Sequence, residues 1–145
     1  MIFRTAEQKD NLRASFLRPD RPFFAAGACH ILAQAFLDSV DSNDWKASLI
    51  LPRQGFRGTH VFAGNDRYVF DYHGFTLIDR YHNHYFKKMS QRFSGWKADI
   101  LQLDVSPIST EFCTRYHHQL PGQFYKDPMP RAIAFVRKFN VPDDA

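Results

Sequence analysis

Three separated residues in this sequence have the side chains that a thiol nucleophile needs for proton transfer. Cys29 lies in GACH at the start of an apolar helical pattern, where the helix N-terminus favours a thiolate. The helix terminus contributes about 0.3 to 1 kcal/mol, whereas lowering the pKa of a thiol from about 8.5 to about 6.5 requires roughly 2.7 kcal/mol. A catalytic Cys29 therefore requires an imidazolium beside it.

His60 is the histidine that we expect to supply this charge. His30 is adjacent to Cys29 in sequence, and neighbouring side chains on a helix point about 100° apart, so we do not expect His30 to hydrogen-bond to the thiol. His60 instead opens the strand-like run HVFAG, and a second run, FDYHG, follows it across a predicted hairpin. The imidazole must then approach Cys29 from a different element of the fold.

The predicted hairpin also brings a carboxylate to His60. With Asn65 and Asp66 as the two central turn residues, His60 pairs directly with Asp71, and their Cβ atoms are about 4.5 to 5.5 Å apart. A turn centred on Gly64 and Asn65 leaves the pair diagonal on one face, and a three-residue loop turns Asp71 away. On the first two registers, Asp71 can orient the imidazole and stabilise its protonated form.

The order Cys29, His60, Asp71, carried by GACH, THVF and VFDYHG, resembles the core of the papain-like superfamily. Transglutaminase-like proteins and arylamine N-acetyltransferases are the most similar branches, and the resemblance covers residues 27 to 74. It implies that Cys29 is the nucleophile, His60 the base and Asp71 the orienting residue. The implied activity is a cysteine-dependent hydrolase or acyl transferase acting on an amide or thioester carbonyl, with glutamine deamidation or transamidation as the first subclass to test.

The resemblance has one clear departure in the oxyanion site. Papain-like proteases carry a Gln several residues upstream of the Cys, and the corresponding region here, RPFFAAG, has none. Ordinary endopeptidase activity is therefore not expected. The backbone N–H of Cys29 offers one oxyanion donor, and the sequence names no second. The resemblance does not imply an acyl-coenzyme A site, and we expect no cofactor.

Each of these residues also has a structural interpretation. Cys29 shares an apolar stripe with Leu32 and Phe36, which is typical of a buried core cysteine. His60 has the alternative of a hydrogen-bonded sheet histidine, and Asp71 that of a strand-end residue that binds a backbone amide. These alternatives correspond to a second function, a non-catalytic ligand- or partner-binding module of the same fold that uses its aromatic surface.

Other histidines and the second cysteine give weaker signals. His82 and His84 alternate in YHNHY, but no Cys, Asp or Glu follows at a ligand spacing, so we expect no metal site. The pair at 117–118 is expected at an exposed helix end. Cys113, beside Phe112, is expected in the core, and two cysteines are too few for a disulfide framework.

Composition limits the class of protein and its partners. The 145 residues carry a formal charge of +4, but the Lys and Arg residues are scattered, so we do not expect a nucleic-acid interface. The start MIFRTAEQKDN lacks an apolar signal-peptide region, and no run of about 18 apolar residues occurs. We therefore expect a soluble cytoplasmic protein with no membrane partner. The expected substrate is a small molecule or a protein side-chain amide, and the oligomeric state is not predicted.

The local patterns predict one α+β domain over residues 1–145, in which N-terminal helices pack on an antiparallel sheet. A capping box at Thr5 and Gln8 predicts a helix to about Leu17, followed by an irregular loop at RPDRP. Further helices are predicted from about Ala28, Asp79 and Ser109, and strands at 47–51, THVFAG, RYVFDYHG and KADILQLDV. RAIAFVRKF is compatible with either a helix or a strand.

Overall fold

The computed structural model describes residues 2–41 and 43–145, which form an α+β fold. In this part of the chain, a five-stranded antiparallel sheet has the strand order β4-β3-β2-β1-β5. No helix in the same residues is long and apolar enough to span a membrane. The strands are β1 (Lys46–Pro52), β2 (His60–Gly64), β3 (Tyr68–Asp71), β4 (Gly74–Leu77) and β5 (Ala98–Gln102). The α-helices are α1 (Ala6–Asp10), α2 (Leu12–Phe16), α3 (Asp20–Ala25), α4 (Cys29–Ser39), α5 (Ile78–Arg92), α6 (Thr110–Tyr116) and α7 (Met129–Val136).

Helices cover both faces of the sheet, so that its central strands are buried. Phe70 of β3 stacks on Phe36 of α4 with ring centroids 4.5 Å apart. On the opposite face, Phe62 of β2 contacts Tyr81 of α5 with centroids 5.2 Å apart. The alternation of side chains along each strand therefore divides the core into an α4 side and an α5 side.

The turn between β2 and β3 differs by one residue from the predicted turn. The N–H of Asn65 donates to the carbonyl of Tyr68 at 3.0 Å, so the turn is centred on residues 66–67 rather than 65–66. The Asn65 side chain explains the position, because its Oδ1 accepts the N–H groups of Arg67 and Tyr68 at 2.8 and 2.6 Å. Asn65 thus occupies the first position of the turn, where such side-chain bonds are favoured.

The shifted turn changes the pairing of His60 and Asp71 without changing their shared face. Ala63 pairs with Phe70, and extension of that register places Asp71 two residues from the position opposite His60. The prediction of direct pairing is therefore wrong. A displacement of two residues preserves the side-chain face, so the diagonal arrangement still brings the two side chains together.

Three further elements differ from the sequence expectation. Asn11 ends α1 and caps α2 by accepting the N–H of Ala14 at 2.9 Å, so the predicted N-terminal helix is divided in two. The region RPDRP forms the start of α3 rather than an irregular loop, because Pro22 falls in the first helical turn, where no intrahelical N–H bond is lost. The run RYVFDYHG turns after Asp71, and Gly74, with a φ of 87°, begins the unpredicted strand β4.

Candidate active site

Cys29 is the first residue of α4 and lies where that helix meets strand β2. It is 4% exposed, and its Sγ accepts the N–H of Val61 at 3.4 Å. The preceding Gly27 has a φ of 118°, and a Cβ at that position would lie 3.0 Å from Nη2 of Arg18. Glycine at position 27 therefore avoids both the strain of that φ and a close contact with the buried arginine.

His60 and Asp71 form a buried hydrogen bond. Nε2 of His60 lies 3.0 Å from Oδ2 of Asp71, and the residues are 2% and 3% exposed. Because a carboxylate only accepts, Nε2 carries the hydrogen, and Nδ1 is the ring nitrogen that this bond leaves available. The ring is held by stacking on Tyr85 at 5.7 Å and by an edge contact with Tyr72 at 5.8 Å.

The carboxylate of Asp71 accepts hydrogen bonds at both oxygens. Oδ2 also accepts the hydroxyl of Tyr81 at 2.8 Å, and Oδ1 accepts the backbone N–H and Nδ1 of His73 at 2.9 and 3.1 Å. Burial raises the pKa of Asp71, but the hydrogen bonds and charges of His60 and His73 outweigh it, so the pKa lies well below its ordinary value. Asp71 is therefore a fixed anion behind His60.

The electrostatics of Cys29 and His60 favour a thiolate and an imidazolium. Burial raises the pKa of Cys29, but hydrogen bonding with His30 and His60 and the charge of His60 hold it well below its ordinary value. Burial lowers the pKa of His60, but hydrogen bonds with Asp71 and Cys29 raise it to about 10. By contrast, burial raises the pKa of Cys113, which lies in the core as predicted.

His30 lies close to the thiol of Cys29, although we expected its side chain to point away from it. Its ring is fully buried, Nε2 lies 2.7 Å from the carbonyl oxygen of Gln119, and the imidazole helps to lower the pKa of Cys29. Its Nδ1 has no hydrogen-bond partner that satisfies normal geometry among the described residues. The expectation failed because side chains tilt toward the helix N-terminus, and no preceding turn separates the two residues there.

His118 was predicted at an exposed helix end, but it lies at the candidate site. His117, with a φ of 59°, ends α6 and is exposed, whereas His118 turns inward against the rings of His30 and Phe112, at 4.7 and 5.2 Å. Burial lowers the pKa of His118 to about 4, so its ring is neutral at physiological pH. A left-handed residue after a helix is the local signal for this reversal, but it does not indicate where the chain goes next.

One group of three possible metal ligands occurs within residues 2–41 and 43–145. It consists of Cys29, His30 and His118, whose ligand atoms lie within 4.8 Å of one another. Zinc bound tetrahedrally would bring such atoms to about 3.4 to 3.6 Å apart, so the group would have to contract around an ion. It shares Cys29 with the His60 and Asp71 pair, which makes metal binding and thiolate chemistry mutually exclusive. His82 and His84 lie on α5, outside this group.

A cleft of about 460 Å³ opens onto Cys29. Its walls come from the N-terminal segment, the α3 to α4 turn, residues 57–59, α5 and residues 117–119, with Tyr85 and His118 among the side chains that line it. The thiol is thus buried against the core on one side and adjoins a space large enough for a small substrate on the other.

Two of the three residues selected from the sequence, His60 and Asp71, are directly hydrogen-bonded, and Cys29 interacts with His60 from the neighbouring helix. Both cysteines are free. Comparison with other proteins adds no further assignment. No family model, curated protein sequence or solved structure matches this chain.

Proposed function

We propose that this protein is a cysteine-dependent hydrolase or acyl transferase that acts on an amide or thioester carbonyl. The observation that carries the proposal is the 3.0 Å bond between Nε2 of His60 and Oδ2 of Asp71, made by a ring that also interacts with Cys29. A thiol paired with an imidazole that is itself oriented by a third group is the general arrangement of an activated cysteine nucleophile.

In the proposed mechanism, the Cys29 thiolate attacks the carbonyl carbon, and the electron pair of the double bond moves to the oxygen. The backbone N–H of Cys29, which has no helical acceptor in the first turn, can donate to that oxyanion. Collapse of the adduct expels the leaving group, which takes a proton from His60. Water or an acceptor amine then gives its proton to His60 and attacks the acyl-thioester, which releases the product and restores the thiolate.

The subclass rests on the resemblance to transglutaminase-like proteins and acetyltransferases of the papain-like superfamily. That resemblance favours the side-chain amide of glutamine as the first substrate to test. The region before Cys29 is helix α3 followed by a short turn, and it contains no glutamine side chain for a protease-type oxyanion site. A small-molecule amide or a protein side chain is therefore a better candidate than a peptide bond.

Differential alkylation of the two cysteines tests the proposal. At mildly acidic pH, iodoacetamide should modify Cys29 much faster than Cys113, because only the first has a lowered pKa. His60→Ala should remove most of the difference, whereas His84→Ala, at an exposed position of α5, should preserve it. Equal rates at the two cysteines of the wild-type protein would overturn the assignment.

A binding module is the second candidate, and a groove lined by His73 and Tyr81, which both bond to Asp71, favours it. This groove, of about 480 Å³, is lined largely by aromatic side chains, including Tyr68, Phe75 and Tyr81. If the groove is the functional site, an apolar fluorescent probe should bind equally to the wild type and to Cys29→Ser. Leu77→Asp, at the exposed edge of the groove, should abolish that binding.

A further inference from the structure

The cleft that opens onto Cys29 has an uneven distribution of charge. Arg4, Lys9, Arg57 and Arg92 line it, and none of its described lining residues is Asp or Glu. The whole chain has 19 Lys and Arg residues against 15 Asp and Glu, so these four side chains match the entire formal excess. The rest of the chain has equal numbers of basic and acidic residues, so the net positive charge is concentrated at the candidate active site.

A buried guanidinium lies directly behind this cleft. Arg18 is 6% exposed, and its three hydrogen bonds go to the carbonyl and hydroxyl of Ser15 and to the carbonyl of Pro22, at 2.8 to 3.1 Å. All three acceptors are neutral. Buried charges are normally paired with an opposite charge, so Arg18 is an exception that needs an explanation.

Arg4 and Arg18 converge at Gly27, two residues before the nucleophile. A Cβ on Gly27 would lie 3.0 Å from Nη2 of Arg18 and 3.6 Å from Cζ of Arg4. Among the described residues, neither guanidinium forms an ion pair with a carboxylate, and Arg4 lines the cleft. Two like charges held at one point beside an empty volume form a recognition site for an anion.

We propose that the substrate carries an anionic group, a carboxylate or a phosphate, next to the carbonyl that Cys29 attacks. Arg4 binds this group at the inner end of the cleft with Arg18 behind it, and Lys9, Arg57 and Arg92 attract it from solution. The carbonyl chemistry rests on the proposed function, but the preference for an anion is a property of the cleft and is measurable without the natural substrate.

Two alkylating reagents of nearly the same size measure this preference at Cys29. Iodoacetate carries a carboxylate and iodoacetamide is neutral, so the ratio of their rates, divided by the same ratio for glutathione, reports the local field. We expect this normalised ratio to be about 10 at low ionic strength and to fall toward 1 as salt is added. Inorganic phosphate and succinate, added separately at constant ionic strength, show which anion competes with iodoacetate better.

Arginine variants assign the preference to the cleft. Arg4→Gln and Arg57→Gln should each lower the normalised ratio several-fold, whereas Arg80→Gln, on the exposed face of α5 and outside this cleft, should leave it unchanged. Arg57 is exposed, so its variant tests the inference even if Arg4→Gln destabilises the fold. A ratio near unity in the wild type, or equal ratios in all three variants, would overturn the anion site.

A second measurement separates this inference from the proposed function. If iodoacetamide modifies Cys29 no faster than Cys113, the thiol chemistry is refuted, and the anion site is then tested by thermal denaturation of Cys29→Ala. Succinate or phosphate should raise the midpoint of that protein above its value in sodium chloride of equal ionic strength. The gain should be lost when Arg57→Gln is added, and the absence of any gain would overturn the anion site on its own.

Discussion

Asp71→Asn tests whether the buried carboxylate maintains the charge of His60. The pKa of His60 is raised from 6.5 to about 10 despite burial, which corresponds to roughly 5 kcal/mol in favour of the imidazolium. Asp71 and Cys29 share this effect, and the hydrogen bond that His60 donates to Asp71 is the largest raising contribution. Assigning somewhat less than half to the carboxylate alone gives about 2 kcal/mol, or about 30-fold in the equilibrium constant between the thiolate–imidazolium pair and the neutral pair.

The assay is the rate of iodoacetamide modification of Cys29 between pH 4 and pH 9. Asp71→Asn should move the acid limb of the profile to higher pH by about 1.5 units, which lowers the rate by up to about 30-fold on that limb. Asparagine retains one oxygen acceptor for the N–H of His73, so the fold should persist, and circular dichroism checks this. Tyr81→Phe removes one hydrogen bond from the carboxylate and should have a smaller effect, equivalent to about 1 kcal/mol.

The result that would refute the reasoning is a profile for Asp71→Asn within twofold of the wild type. In that case, the charge of His60 would not depend on the carboxylate, and the 3.0 Å bond would be a structural contact of the sheet. His60→Ala supplies the lower limit of the scale, since it removes the imidazole itself. The Asp71→Asn rate should lie between that limit and the wild-type rate.

Three other outcomes are expected. In Cys29→Ala, stability should fall as pH rises above 6.5, by up to about 1.4 kcal/mol per pH unit, because His60 keeps a proton in the folded state that the unfolded chain releases. Because this variant lacks the contribution of Cys29, the fall should end at the lower pKa that Asp71 alone maintains. In the wild type, the lowered pKa of Cys29 cancels this slope up to about pH 9, because the unfolded chain holds a proton on the thiol that the folded protein lacks. Urea titrations in which the wild type and Cys29→Ala give parallel pH profiles would contradict this account. Gly74→Ala should destabilise the protein by about 1 to 3 kcal/mol more than Gly55→Ala in denaturant titrations. Both glycines have φ near 88°, but only at Gly74 would an added Cβ lie 2.6 Å from an aromatic ring. Excess Zn²⁺ should slow alkylation of Cys29 until a chelator is added. His118→Ala should weaken this protection, and unchanged protection would exclude His118 as a zinc ligand.

The periodic features of the sequence predicted the elements that hold the candidate site. The apolar stripe beginning at Cys29 correctly indicated α4, and the alternating runs indicated the strands that carry His60 and Asp71. The register between those strands was predicted incorrectly, because it depends on which position of the turn Asn65 occupies. That choice is made by two side-chain hydrogen bonds, which the hydrophobic pattern does not reveal.

The parts of the site that the sequence did not predict come from long-range packing. His118 reaches the thiol only because the chain reverses after α6, and His30 does so because of its place in the first helical turn. The cations of the cleft are similarly scattered, from Arg4 to Arg92, so their convergence is a property of the tertiary structure. Local propensity gives no information about such meetings, whereas it does constrain the helix and strands themselves.

His60 and Asp71 are diagonal neighbours on β2 and β3. Their hydrogen bond therefore depends on whether the two strands are displaced by an even or an odd number of residues. Each even displacement between β2 and β3 returns both side chains to the same surface, whereas an odd one sends the carboxylate to the α4 side. A slip of β3 against β2 by one residue should therefore disconnect the imidazole from its anion. A slip of two residues toward direct pairing should keep both side chains on one surface, although it is the larger displacement.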